Sequence, residues 1–120
     1  MAYIERLSHM ALKTVDLEKS VEFYTKVIGL TLHSRGKVGD APLVVLVEGI
    51  GLTTGGPGAG HATVVDHFAF KVPDLGPVVE RLKAVGAMIV DGPRPSPYGN
   101  SVYFLDPDGN KVECHDGERA

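Results

Sequence analysis

The chain is poor in cysteine: Cys114 is its only one in 120 residues. A lone thiol cannot close an internal disulfide, so the fold must hold by packing and hydrogen bonding alone, as expected in a reducing cytosol. Positive charge is not in excess either. Twelve Lys and Arg face fifteen Asp and Glu, for a formal net charge of −3, which argues against a nucleic-acid or anionic-membrane partner. Missing too is any apolar run of the roughly 18 residues that a membrane span needs. The opening stretch already carries Glu5, Arg6 and His9, so it does not read as a basic-then-apolar leader. These absences predict a soluble, cytoplasmic protein. The length suits one domain that buries about two thirds of its unfolded surface.

What is present centres on residues 101–115, SVYFLDPDGNKVECH. Two alternating runs flank Asp106-Pro107-Asp108-Gly109-Asn110, where Pro presets a turn and Gly accepts positive φ, so the stretch predicts a strand, a tight turn and a strand. Alternation then assigns the faces. Val102, Phe104, Val112 and Cys114 form an apolar side on which Cys114 is a buried, inert thiol; Ser101, Tyr103, Leu105, Lys111, Glu113 and His115 occupy the other.

Upstream, residues 4–14 alternate as a strand, with Met10 and Leu12 opposite Leu7, His9, Ala11 and Lys13. A helix follows, with Asp16 as its N-cap, Leu17, Val21, Tyr24 and Ile28 on one stripe, and Gly29 as its stop. Phe23 reads as helix packing and His33 as a surface strand residue. Residues 30–38, 43–47 and 49–54 predict three short strands, and Gly55–Gly60 (GGPGAG) is too rich in Gly and Pro for regular structure. A shift of 58 residues then lays His9 on His67, Ala11 on Ala69, Lys13 on Lys71, Asp16 on Asp74, Leu17 on Leu75, Val21 on Val79, Glu22 on Glu80 and Val27 on Val85, eight identities in nineteen positions. The register predicts a duplicated unit. Its second copy reads as strand 63–72, helix 74–85 with Pro77 in the first turn, strand 87–91, loop 92–98 and the closing hairpin. The whole is α+β, two tandem βαβββ modules at about 4–54 and 63–116 joined by a linker at 55–62.

His9 and His67 occupy equivalent places opposite the helix-packing residues of their strands. If the two sheets pack about a pseudo-twofold, both imidazoles enter one concavity and Glu113 joins them. Two imidazoles and a carboxylate suit one divalent ion of the Mn, Fe, Co, Ni or Zn group, with positions left for substrate.

This order of elements, with His9 in LSHMALKTVDLEKSVEFYTKVIGL, His67 in VVDHFAFKVPDL and Glu113 in YFLDPDGNKVE, resembles the vicinal oxygen chelate superfamily. That group includes glyoxalase I, extradiol dioxygenases, fosfomycin-resistance thiol transferases and bleomycin-resistance proteins. The resemblance implies a cup-shaped mixed sheet, a metal held by His9, His67 and Glu113, and a small oxygen-rich substrate, with a thiol as possible co-substrate. It also implies a homodimer whose cups draw on both subunits, so that His9 serves either its own or the partner's site. Departures sort the branches. Glyoxalase I adds a carboxylate on the fourth strand, where this chain has Gly49-Ile50-Gly51-Leu52-Thr53-Thr54, which argues against hemithioacetal isomerisation. Extradiol dioxygenases share a tyrosine matching Tyr103 but carry a base histidine on that same strand; here only His61, in the linker, is near in sequence. The terminal hairpin is most similar to fosfomycin-resistance enzymes, which implies Tyr103 as the catalytic donor and Ala11, Thr53, Ser101, Arg94 and His115 around the substrate. Ala11 stands where those enzymes carry Thr, and Gly92–Tyr98 replaces their phosphonate loop, leaving Arg94 and Arg119 as sources of charge. The resemblance therefore implies metal-assisted thiol transfer or lyase chemistry, with Fe(II) ring-cleaving dioxygenation or metal-free drug sequestration as the alternatives.

Overall fold

The computed structural model describes residues 3–61 and 64–117. Each half has the predicted βαβββ order. The first comprises β1 (Met10–Thr14), α1 (Leu17–Glu22) running on as a π-helical segment (Phe23–Ile28), β2 (Leu32–Val38), β3 (Ala41–Leu46) and β4 (Ile50–Thr54). The second comprises β5 (Phe68–Lys71), α2 (Leu75–Ala84), β6 (Ile89–Ser96), β7 (Gly99–Leu105) and β8 (Lys111–His115). Two four-stranded mixed sheets result, ordered β1-β4-β3-β2 and β5-β8-β7-β6. In each, the first strand runs parallel to the fourth and the other pairs are antiparallel. The repeat is thus visible in topology as well as in sequence. Among the described residues no helix is long and apolar enough to cross a membrane.

Local signals act where expected. Asp16 and Asp74 cap their helices, accepting from the backbone N–H of Lys19 and Gly76, and Gly29 closes the first helix at φ 101°, a conformation with little cost for Gly alone. Four departures from the sequence expectation go beyond shifts of one or two residues at element ends. Residues 4–9 form no strand, because β4, the only partner of β1, begins at Ile50 opposite Met10. The strand expected at 63–72 is cut to β5, Phe68–Lys71, whose partner β8 begins at Lys111, and Thr63, where it was expected to start, lies outside the described residues, as does Arg119. The first helix widens to π geometry from Phe23, where Thr25 returns its hydroxyl to the Val21 carbonyl at 2.7 Å, a bond that competes with the regular ladder. Finally, residues 92–96 of the expected loop belong to β6, an edge strand with two register shifts against β7; edges and bulges are where Pro93 and Pro95 are tolerated.

One core spans both halves. Val21, Tyr24, Val27 and Ile28 meet Val44, Leu46 and Leu52 of the first sheet, and Val78, Leu82, Val102, Phe104, Val112 and Cys114 of the second. The hairpin faces are as predicted, since Val102, Phe104, Val112 and Cys114 are fully buried. Arg81 of α2 donates from Nε to the Val27 carbonyl at 2.7 Å and so satisfies the end of the first helix.

The turn at 106–110 does more than reverse the chain. Asp106 and Asp108 are 6% and 5% exposed, and both carboxylates reach into the first module. Asp108 accepts from Thr14 Oγ1 at 2.5 Å, Val15 N at 2.9 Å and Ser20 Oγ at 3.1 Å. Asp106 accepts from the Tyr24 hydroxyl at 2.6 Å, and also binds the N–H groups of Asp108 and Asn110 within its own turn. Burial, and then the Asp106 charge, hold the Tyr24 phenol well above its ordinary pKa, so it remains a donor. Among the described residues every buried side-chain nitrogen and oxygen has a partner. Replacing Asp108 by Ala removes the acceptor of the Val15 N–H and the shared carboxylate of the Thr14 and Ser20 hydroxyls, which keep only each other and the Asp16 carbonyl. Urea denaturation is expected to show a loss of about 3 kcal/mol; a loss below about 1 kcal/mol would rule out this role.

Candidate metal centre

The site is built where β5, β8 and β7 lie side by side. Their registers put Ala69 and Tyr103 on either side of Glu113, and Ser101 beside His115. Glu113 is only 1% exposed, an unusual place for a carboxylate unless it is bonded. Ser101 Oγ donates to its Oε2 at 2.7 Å, and His67 Nε2 lies 3.1 Å from its Oε1. Behind Ser101, the Ser96 hydroxyl lies 2.6 Å away and itself accepts from the Tyr98 N–H at 3.1 Å. Since Ser101 commits its proton to Glu113, Ser96 must donate to Ser101, giving a one-way relay that ends on the carboxylate.

His67 is held from behind. Its Nδ1 lies 2.6 Å from Asp66 Oδ2, and Lys111 Nζ sits 3.4 Å from the same oxygen. The hydrogen bond to His67, and then that to Lys111, keep Asp66 below the usual carboxylate range. A carboxylate on Nδ1 fixes the tautomer that presents Nε2 as a lone pair, the arrangement found behind metal-bound histidines. Two donors bound cis at ~2.1 Å to one ion stand roughly 3 Å apart. The spacing of His67 Nε2 and Glu113 Oε1 matches.

His9 is elsewhere. It is exposed, ahead of β1, with Nδ1 3.0 Å from Ser8 Oγ. Among the described residues no group of three or more His, Cys, Asp or Glu stands ready to hold a metal, so the chain alone brings together two of the three expected ligands. The two histidines are nevertheless set up alike, each oriented at Nδ1 by the residue before it, Ser8 or Asp66.

Tyr103 faces Glu113 across the β7–β8 ladder and meets the His67 ring edge-on at 5.4 Å. Burial, then the neighbouring Glu113 charge and hydrogen bond, push its phenol above the ordinary value, so it is a proton donor at neutral pH. Arg94 and Lys111 lie 5.8 and 5.7 Å from its ring centroid. Two hollows flank His67: one of about 510 Å³ bounded by Asp91, Arg94, Tyr103 and Lys111, and one of about 310 Å³ bounded by Ala69, Tyr98, Glu113 and His115. His115 stacks on Tyr98 at 5.0 Å and its Nδ1 faces the Gly117 carbonyl.

Ala11 and Thr53 lie on the first sheet, where Thr53 donates to the Pro42 carbonyl at 2.7 Å. Ala11 is paired with Gly51 as Ala69 is with Glu113, so Gly51 is the structural counterpart of the carboxylate. His61 is exposed and turned to the Gly58 carbonyl, and His33 is a surface strand residue as expected. A third hollow, of about 520 Å³, lies apart from this site between Phe23, Gly86 and Pro107. Sequence reasoning missed Asp66, Ser96 and Lys111. Only the Asp66-His67 dipeptide offered a signal.

Comparison with known proteins bears on this site. The profile of the Glyoxalase/Bleomycin resistance protein/Dioxygenase superfamily matches residues 6–114. Glutathione transferase FosA of Serratia marcescens is 36% identical over 98% of this chain and 84% of its own. Lactoylglutathione lyase GLX1 of Arabidopsis thaliana is 30% identical over 90% of this chain, which spans only 43% of that protein. Among solved structures, the fosfomycin resistance protein FosX of Mesorhizobium loti superposes with a TM-score of 0.74 at 25% identity, covering 96% of this chain and 94% of its own.

Cys114 lies under this ladder, fully buried, with its thiol pushed up to about 12, first by burial and then by the Glu113 charge. A disulfide-exchange reagent at pH 8 is expected to leave it unlabelled in the folded protein and to label it fully in urea. Because its folded pKa lies above the unfolded value of about 8.5, its share of stability is intact below that pH and lost as pH rises toward 12. Rapid labelling without denaturant would contradict the burial.

Proposed function

Because this chain belongs to the Glyoxalase/Bleomycin resistance protein/Dioxygenase superfamily, we propose that it is a divalent-metal-dependent enzyme acting on a small oxygen-rich electrophile by thiol transfer or lyase chemistry. The observation that carries this reading is the pair His67 Nε2 and Glu113 Oε1 at 3.1 Å, each fixed by its own partner, Asp66 or Ser101. Likeness to the glutathione transferase FosA over nearly the whole chain supports the choice of reaction.

In this reading His67 and Glu113 hold the ion with His9 of a second copy. β1 and β5 are edge strands of their sheets, and Ile4 and Leu7, just ahead of β1, are each 76% exposed. Exposed apolar chain beside an open strand edge is what pairing with another copy covers. A bound divalent ion supplies Lewis acidity toward substrate oxygens. The chain's own residues do the rest. Tyr103 donates its proton to an oxygen that gains negative charge, Ser101 keeps Glu113 from turning away, and Asp66 holds the His67 ring with Nε2 toward Glu113. Gly51 offers no second carboxylate for a proton shuttle, so hemithioacetal isomerisation is disfavoured. The hollows beside His67 are open enough to admit both a small electrophile and a thiol.

Elemental analysis of protein purified without added metal, then incubated with Mn, Fe, Ni or Zn, is expected to give one ion per chain, lost in both Glu113→Gln and His9→Ala. No binding by any of the four ions would reject the proposal. Thiol consumption with epoxides, rather than oxygen uptake with catechols, is the expected activity. Sharing of sites has its own signature. When the two inactive variants are mixed in equal amounts and allowed to exchange, each hybrid dimer regains one intact site, so about a quarter of wild-type metal binding returns. No recovery would place all three ligands in one chain.

A further inference from the structure

The hollow of about 510 Å³ beside His67 holds two cations, Arg94 and Lys111, and at first sight invites an anion. Their hydrogen bonds argue otherwise. Arg94 spends the inner edge of its guanidinium on Asp91, with Nε 2.9 Å from both carboxylate oxygens and Nη2 2.7 Å from one, while Nη1 donates to the Pro95 carbonyl at 3.2 Å. Lys111 is paired with Asp66. Within this hollow two carboxylates, Asp66 and Asp91, answer the two cations. The two register shifts in β6 bring Asp91 and Arg94 onto the same side, so the pairing is built into the strand.

Backbone and serine donors along the bordering segment are committed as well. Pro93, Pro95 and Pro97 have no N–H to offer along the segment that borders the site. The Tyr98 N–H goes to Ser96, and the Ser96 and Ser101 hydroxyls pass along to Glu113. A phosphonate or phosphate entering this hollow would lose its water and find, among the described residues lining the wall, no surplus positive charge in return. The remaining surface is a stack of rings, Tyr103 over one hollow and Tyr98 with His115 in the other, with Val90 beside them.

We propose that the substrate is uncharged at the end remote from its metal-binding oxygens, a neutral oxygen-rich electrophile bearing an apolar or flat group rather than a phosphonate. This rests on the function proposed above and narrows its substrate class. Asp91 is then a specificity-determining residue, since it cancels the one guanidinium that an anion would seek.

The test uses two probes with the same pair of vicinal hydroxyls, phenylethane-1,2-diol and a dihydroxyalkyl phosphonate, titrated by calorimetry into the full-length protein. Metal content is measured on the same samples. Wild type is expected to bind the uncharged diol at least about tenfold more tightly. Asp91→Asn is expected to tighten phosphonate binding about tenfold and leave the diol within about twofold. Arg94→Gln, which needs no new packing, is expected to change phosphonate affinity by less than about twofold. Preference for the phosphonate in wild type, its loss on Arg94→Gln, or failure of the diol to bind would each overturn the inference. Charge preference as expected with no bound metal would sink the metal reading alone, and bound metal with the phosphonate preferred would sink this inference alone.

Discussion

The contact on which the rest of the molecule depends is that of two buried carboxylates, Asp106 and Asp108, with the start of the first helix. Each half-sheet is narrow, four strands with one helix, and neither buries an apolar face without the other. The helices supply the shared core, but apolar packing alone is permissive about rotation and slide. Carboxylates that must find Thr14, Val15, Ser20 and Tyr24 are not. Their desolvation is repaid only in one relative placement of the modules, so the turn that ends β7 sets where that strand lies against the first half. The site depends on that placement at one remove. Tyr103 and Glu113 lie on the two strands that this turn joins, and their register descends directly from it.

The same economy shows in the way the polar face of the hairpin is satisfied. Glu113 is nearly as buried as the valine before it and the cysteine after it, yet it is a strand residue on the opposite face. It is held in place by neighbours that themselves have second partners, Ser101 by Ser96 and His67 by Asp66. Such chains make an acceptor pair rigid before any ligand arrives, and rigidity in the donor set is what lets a site select an ion by geometry.

Much of this was legible in the sequence because it is local or repeated. Strand alternation placed Val102, Phe104, Val112 and Cys114 in the core and Tyr103 and Glu113 together on the other face, and the structure agrees. The shift of 58 residues equated Asp16 with Asp74, and both are caps; it also equated His9 with His67, expected on their strands and found just ahead of them. The illegible parts depend on partners distant in sequence. Asp106 and Asp108 are common turn residues for local reasons, so nothing in DPDGN revealed their second use across the module boundary. Strand limits failed at residues 4–9 because alternation reports a face, whereas a strand also needs a neighbour, and β4 starts only at Ile50. The bond from Arg94 to Asp91 was invisible because it arises from bulges, which change the parity on which face assignment rests.

The two halves share a topology but not the same polar side chains. The equivalence runs from His9 with Ser8 to His67 with Asp66, but it breaks at the fourth strand, where Glu113 answers to Gly51. An ion bound symmetrically would take a carboxylate from each half; one bound here takes it from the second half only. In the proposed reading the first half of a second copy contributes an imidazole, beside which Ala11 and Gly51 are small and Thr53 has turned its hydroxyl to the Pro42 carbonyl. With no second carboxylate, an ion at this site has fewer protein ligands and more room for substrate oxygens, which suits electrophilic activation better than proton shuttling. In the proposed reading, one side-chain difference between two halves of the same topology thus changes the kind of chemistry the frame favours while leaving the frame itself intact.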